Sequence, residues 1–357
     1  MPSNNRIIMC AAGGGKTTRI VSDALHDANS RSLLVTYTRN NEREIARKFY
    51  EREAVIPAHV ELMTWFTFLL RELARPYRRV LHDRRIDNLM FVEGKSVALV
   101  PAANVAAHYF AEGRYIYSDK ISKFICECNR LTNGAVMNRL ATRFDHLIVD
   151  EVQDMAGYDL DLLELVLKSG VKLTLVGDHR QATFKTNNNA KNAAYGGSKI
   201  IRKFEEWATT DLAILSNERH THRCHQKIAD LGDSFFPGEP ATTSLNTETT
   251  GHDGVFIIAP LKVAEYMKAF SPQVLRLDVK TACDGIPAMN FGESKGLTFK
   301  RVLIFPHGKA KQWLRTGALT HIEKSITKMY VGVTRARHSL AFVHEGSVAI
   351  PGAQTYE

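Results

Sequence analysis

Short apolar runs of strand length alternate along most of the chain with segments whose apolar positions recur every three or four residues. The runs fall at 6–9, 32–36, 146–150, 171–177 and 211–215. Amphipathic stretches lie between them at 42–52 (Ile45, Ala46 and Phe49 on one face), 161–168 and 200–207. Such alternation predicts a parallel sheet covered by helices. A second set follows the polar, Thr-rich stretch 238–254: strand 255–259, helix 261–270, strands 274–278 and 301–305, helix 320–333, strand 339–344. Ile322, Ile326, Met329, Tyr330 and Val333 mark the buried face of that last helix. The economical reading is α/β: one lobe over 1–237 and a second over 238–357, with 238–254 a linker or the remnant of an insertion. Residues 77–142 fit the alternation poorly and read as a small, mainly helical insertion in the first lobe.

The first strand runs straight into Cys10-Ala-Ala-Gly-Gly-Gly-Lys-Thr-Thr18, and Ile20, Val21, Ala24 and Leu25 follow at helical spacing. A small-residue loop ending in Gly-Lys-Thr between strand and helix wraps backbone N–H groups around a polyphosphate. Gly13, Gly14 and Gly15 would form the cradle, Lys16 would reach the β and γ phosphates, and the Thr17 hydroxyl would hold Mg²⁺. Cys10 stands where the usual pattern has its first glycine. The strand 146–150 ends in Asp150-Glu151, which puts two carboxylates at the sheet edge that also carries the phosphate loop. There Asp150 can hold Mg²⁺ and Glu151 can orient and deprotonate an attacking water.

Composition narrows the class. At 357 residues with 44% hydrophobic and 24% charged positions, the chain is ordinary globular material for two domains. No apolar run is long enough to cross a bilayer, so no membrane role is expected. Five cysteines without CxxC spacing fit a reducing, cytoplasmic setting. The net charge of +9 favours a polyanionic partner such as nucleic acid. His220, His222, Cys224 and His225 do not match a two-plus-two zinc spacing.

The strings now assembled resemble the superfamily 1 helicases of the UvrD/Rep/PcrA type, in order and over nearly the whole chain. Leu34-Val-Thr-Tyr-Thr-Arg-Asn40 is similar to the family's VTFTN segment, and Thr64-Trp-Phe-Thr67 to TFHS. Asp150-Glu-Val-Gln-Asp154 is similar to DExQD and Leu175-Val-Gly-Asp-His-Arg-Gln181 to VGDxxQ. Glu293-Ser-Lys-Gly-Leu-Thr-Phe299 resembles SKGLEF, and Tyr330-Val-Gly-Val-Thr-Arg-Ala-Arg337 resembles YVAxTRAR. His222-Arg-Cys-His225 falls at the fourth motif.

The resemblance implies two RecA-like P-loop NTPase lobes hydrolysing ATP with Mg²⁺ in the cleft between them. Lys16, Glu151, Gln181, Arg223 and Arg335 would be catalytic, with Gln181 sensing the γ-phosphate and Arg335 acting as an arginine finger, worth roughly 10³–10⁵ in rate. Thr18, Arg19 and His222 would flank the base. Thr38, Asn40, Thr64 and Lys295, with Tyr37, Trp65 and Phe184 as stacking rings, would meet single-stranded DNA, with RNA left open; Trp65 reads equally as a core residue of its helix. Thr186 stands where the family has a DNA-stacking tryptophan, and the stretch from Arg223 to Glu293 is too short for the large accessory domain. The expected activity is therefore that of a minimal ATP-dependent DNA helicase or single-strand translocase running 3′ to 5′, with a nuclease or replication protein as the candidate partner, in repair, replication or phage defence. Two competitors stand beside it. One is a nucleotide-sensing, DNA-binding subunit of a nuclease or defence complex that does not unwind. The other is a P-loop phosphotransferase, which leaves Thr334-Arg-Ala-Arg337 without a task.

Overall fold

The computed structural model describes residues 4–97, 99–187 and 189–357. Tertiary contacts group the chain into two compact units. One comprises residues up to Met9, then Lys16–His179 and Phe184–Asn217; the other comprises Cys10–Gly15, Arg180–Thr183 and Glu218–Glu357.

The first unit is built on six strands: β1 (Arg6–Cys10), β2 (Ser32–Thr36), β3 (Val60–Thr64), β4 (His146–Val149), β5 (Lys172–Gly177) and β6 (Ile214–Glu218). Their order is β3-β2-β4-β5-β1-β6. The β3/β2, β2/β4, β4/β5 and β5/β1 pairs all run parallel, with Met9 opposite Gly177 and Val149 opposite Leu175. Every residue of β2 and β4 is buried, as strands covered on both faces must be. The helix Lys16–Leu25 buries Ile20, Val21 and Ala24 and packs against β4 and β5. The helix expected at 42–52 is longer, Arg39–Glu53, because the Thr38 hydroxyl caps it by accepting from Asn41 N. The last strand begins at Ile214 rather than 211, since Asp211 takes a left-handed turn (φ 56°) after the helix Ile200–Thr209.

The insertion is not purely helical. Its helices Val105–Tyr109, Ile121–Leu131 and Ala135–Arg143 accompany a small sheet of Asn88–Met90, Tyr115–Tyr117 and Phe110–Ala111. Phe124, Ile125, Cys128, Val136 and Leu140 join the same core as the main sheet, so the insertion shares a core with its host.

The second unit carries another six-stranded parallel sheet. Its strands are β7 (Gly254–Ile258), β8 (Gln273–Arg276), β9 (Met289–Asn290), β10 (Phe299–Phe305), β11 (Ala336–Val343) and β12 (Gln354–Thr355). They lie in the order β9-β8-β10-β11-β7-β12. The 238–254 stretch is tied down here, because Thr243–Ser244 pairs with His220–Thr221. The helix expected over 320–333 covers only Ile326–Val333; short turns precede it, and Ile322 is buried among them. Two parallel sheets flanked by helices form the α/β, RecA-like architecture.

Candidate nucleotide and nucleic-acid site

In the first unit, β1 and β4 are separated by one strand, so their C-terminal ends lie roughly 10 Å apart at about 4.8 Å per strand. Lys16 and Thr17 open the helix that follows β1. Asp150 extends β4 by one bond, its N–H donating to Val35 O at 2.8 Å, and is 5% exposed. Glu151 follows with φ 56° and ψ 37°. A non-glycine residue in that left-handed region is strained by about 1–3 kcal/mol. The Gln153 carboxamide supports it, Nε2 donating to the Glu151 carboxylate while Oε1 accepts from Asp178 N at 3.0 Å. Gly177 makes room, since a Cβ there would collide with Gln153 Oε1. Thr18 is exposed, and Arg19 sits 4.0 Å from Asp23 one turn on.

The glycine run belongs to the second unit, where it is bound to the residues of the fourth motif. Thr221 Oγ1 donates to Ala12 O at 2.7 Å, and His222 N donates to Gly13 O at 3.0 Å. Gly13 has φ 76°, and a Cβ on it would fall 2.5 Å from Arg223 Cβ and 2.7 Å from Thr221 Oγ1. Only glycine fits. Arg223 donates from Nη1 to Thr334 O at 3.1 Å. His222 is exposed, its ring 5.5 Å from that of His220.

Gln181 and Arg335 meet in the same unit, Arg335 Nη2 donating to Gln181 Oε1 at 2.9 Å. Arg335 is 1% exposed; its Nε also donates to Val331 O at 3.0 Å and Nη1 to Leu297 O at 3.2 Å. Arg180 was not anticipated. Its buried guanidinium pairs with Asp233 at 2.8 Å and lies 4.7 Å from the centre of the Tyr330 ring, whose hydroxyl accepts from Ala12 N at 3.4 Å. The only hint in sequence was its place beside Gln181. Lys295 is half-buried in the loop before β10.

The expected nucleic-acid face needs one correction. Trp65 is fully buried beside Phe68, so its ring has no free face for a base. Thr64, its neighbour, caps the helix Trp65–Phe68 by accepting from Thr67 N at 3.4 Å. Rings do gather nearby: Phe66 stands 6.0 Å from Tyr37 and 5.3 Å, edge-on, from Phe91, which is 69% exposed. With Arg39, Thr64, Arg71 and Arg75 they line a groove of about 570 Å³. Periodicity could not have found Phe91, which lies in the part of the insertion where no pattern was readable. Asn40 and Phe184 are exposed. Thr186 is buried instead of stacking, its hydroxyl donating to the buried Asp159 carboxylate.

Among the described residues, no group of three His, Cys, Asp or Glu side chains is arranged to hold a metal, and no helix is long and apolar enough to cross a membrane.

Two family models match the chain: an AAA domain over residues 1–186 and the viral superfamily 1 RNA helicase core domain over residues 128–344. The chain belongs to the superfamily 1 helicases. No curated protein matches it. Among solved structures, the chain is similar to arterivirus nonstructural protein 10 (helicase), at 15% identity over 95% of this chain and 59% of that one, with a TM-score of 0.48. The same arterivirus protein in complex with DNA gives 15%, 95% and 61%, with a TM-score of 0.49. The chain thus spans about three-fifths of the length of these structures.

Proposed function

We propose that this chain is an ATP-dependent motor on single-stranded nucleic acid, hydrolysing ATP with the residues of its phosphate loop and with Arg223 and Arg335. The observation that carries this reading is the bonding of the glycine run to Thr221–Arg223, which brings an arginine to a loop shaped for phosphates. Lys16 continues that loop and supplies charge to the β and γ phosphates. The Thr17 hydroxyl and the Asp150 carboxylate are hard oxygen donors, as Mg²⁺ requires, and would hold it. When bound, the ion would neutralise phosphate charge. Glu151 orients the attacking water and takes its proton, held in place by Gln153. Gln181 and Arg335 act as a hydrogen-bonded pair, one sensing the γ-phosphate and the other stabilising its transition-state charge. Arg19 and His222 flank the base.

For the strand, bases stack on Tyr37, Phe66 and Phe91, while Thr38, Asn40, Thr64 and Lys295 contact the backbone and Phe184 adds a further ring. The motif strings favour the UvrD/Rep/PcrA type, hence single-stranded DNA as the track and 3′ to 5′ as the direction. A second reading, RNA as the track, is favoured by the description of the matched viral family. Phosphate release measured with single-stranded DNA, with RNA and with neither separates them. Strand-displacement on substrates with a 3′ or a 5′ overhang then tests direction. Greater stimulation by DNA and displacement from the 3′ overhang are expected. Stimulation by RNA alone would replace the DNA reading, and displacement from the 5′ overhang alone would reverse the direction.

A further inference from the structure

A cavity of about 850 Å³ in the first unit is rimmed by Leu81, Val105, Phe110 and their neighbours, and nothing identifies an occupant for it. A second is the aromatic groove described above. A third, about 240 Å³, is lined by Lys95, His108, Asp119, Lys120, Lys123 and Asn189, and its chemistry is one-sided.

Lys120 is 7% exposed, yet its ammonium makes one hydrogen bond, to Val97 O at 3.3 Å. Lys123 Nζ lies 3.2 Å from His108 Nε2. His108 Nδ1 is 2.6 Å from Val100 O, which makes Nδ1 the donor and leaves Nε2 to accept from Lys123. The imidazole is therefore neutral, in line with the lowering of its pKa by burial and by the charges of Lys120 and Lys123. Lys123 is steadied further by the Tyr109 and Tyr158 rings, 5.9 and 5.8 Å away. Asp119 faces this cluster, but one carboxylate oxygen is taken by Ser96 N and Oγ at 3.0 and 3.1 Å. Among the described residues, neither Lys120 nor Lys123 forms an ion pair with a carboxylate. Lys120 and Lys123 outnumber the Asp119 carboxylate, and the exposed Lys95 adds a further positive charge at the rim. A buried ammonium such as that of Lys120, with no carboxylate paired to it, is costly, and a bound anion removes that cost.

We propose that this cavity holds a phosphate group of the bound single strand. The inference rests on the motor reading. It is tied to the strand by chain continuity: Leu89 and Phe91 line the aromatic groove, and the same segment runs on through Lys95 and Ser96 into this cavity. The segment borders rings for bases at one end and a lysine-lined cavity for a phosphate at the other, the two needs of a single-strand track. Lysine acts here as a point charge, which suits a non-bridging phosphate oxygen without fixing sequence.

The test is the salt dependence of binding to fluorescein-labelled dT₂₀ and U₂₀, read by anisotropy. Each phosphate contact on a single strand contributes about 0.7 to the slope of log K against log salt, or about five-fold in affinity at 0.1 M. Lys120→Met and Lys123→Met are expected to lose that much slope, Lys123→Arg to keep it, and Lys172→Met, at the start of β5, to leave it unchanged. Melting temperatures show whether each variant folds; should Lys120→Met fail to fold, Lys123→Met carries the test. Folded variants with the wild-type slope overturn the proposal. So does inorganic phosphate raising the wild-type melting temperature while strand slopes stay the same, since the cavity would then take free phosphate. Wild type that binds neither oligonucleotide sinks the motor reading instead.

Discussion

Gly13 and Trp65 mark the limits of what single residues disclose. Gly13 lay in a readable loop, and the structure adds why glycine is required: φ 76° with Arg223 and Thr221 packed against the space a side chain would fill. Gly13→Ala should cost about 1–3 kcal/mol of stability and depress binding of a fluorescent ATP analogue. Full retention of both would show the loop tolerates a side chain. Trp65 misleads because a buried indole and a stacking indole look alike in a string. Its place is fixed by Phe68 and the surrounding core, which no local pattern reveals. Trp65→Ala should therefore destabilise the fold by about 3–5 kcal/mol in denaturant unfolding. Phe91→Ala, at an exposed position, should leave unfolding unchanged and weaken strand binding by about 1–3 kcal/mol. The reverse pattern would restore Trp65 as the stacking ring.

Elements were legible where burial on both faces or a 3.6-residue period left a signal. β2 and β4 read as continuous apolar runs, and the Arg39–Glu53 helix was short in sequence only because its cap, Thr38, carries no hydrophobic mark. The small sheet of the insertion escaped because its strands are two or three residues long and paired at a distance. The turn between β4 and the helix Tyr158–Leu167 holds Glu151 in a left-handed conformation through Gln153. Gln153→Ala should lower kcat by up to about 10²-fold, with a small change in KM for ATP. An unchanged kcat would remove Gln153 from the positioning role. Asp233, in the helix Gln226–Ser234, neutralises buried Arg180. Asp233→Ala should destabilise by about 1–3 kcal/mol in denaturant unfolding, by removing a charged hydrogen-bond partner of that buried guanidinium.

At the scale of the whole molecule, the order of the motifs was readable, but the grouping of residues 10–15 and 180–183 with 218–357 was not, because it depends on contacts across two hundred residues. Stability should also depend on pH in a definite direction. His146, at the start of β4, is kept neutral with its pKa pulled down to about 3 by burial, then by the charges of Lys172 and Arg6, and its Nε2 lies 2.8 Å from Thr174 Oγ1. The unfolded chain takes up this proton below about 6.5, so it binds more protons than the folded chain between there and about 3. The contribution is complete above that window and is lost as pH falls through it, on the order of a few kcal/mol. His146→Gln should flatten the fall in melting temperature between pH 7 and 4.5, and an equally steep fall would place the acid sensitivity elsewhere.

The central claim is that the glycine loop and Arg335 serve one hydrolysis reaction that a single strand accelerates. Steady-state phosphate release from ATP, with and without oligonucleotide, in wild type, Lys16→Ala and Arg335→Ala tests it most directly. The account predicts strong stimulation of wild type and near-complete loss in both variants, with the melting profile of Lys16→Ala matching wild type and Arg335→Ala, which loses the buried bonds to Val331, Leu297 and Gln181, melting lower but still folded at the assay temperature. Hydrolysis that ignores the oligonucleotide, or that survives removal of either side chain, would contradict it.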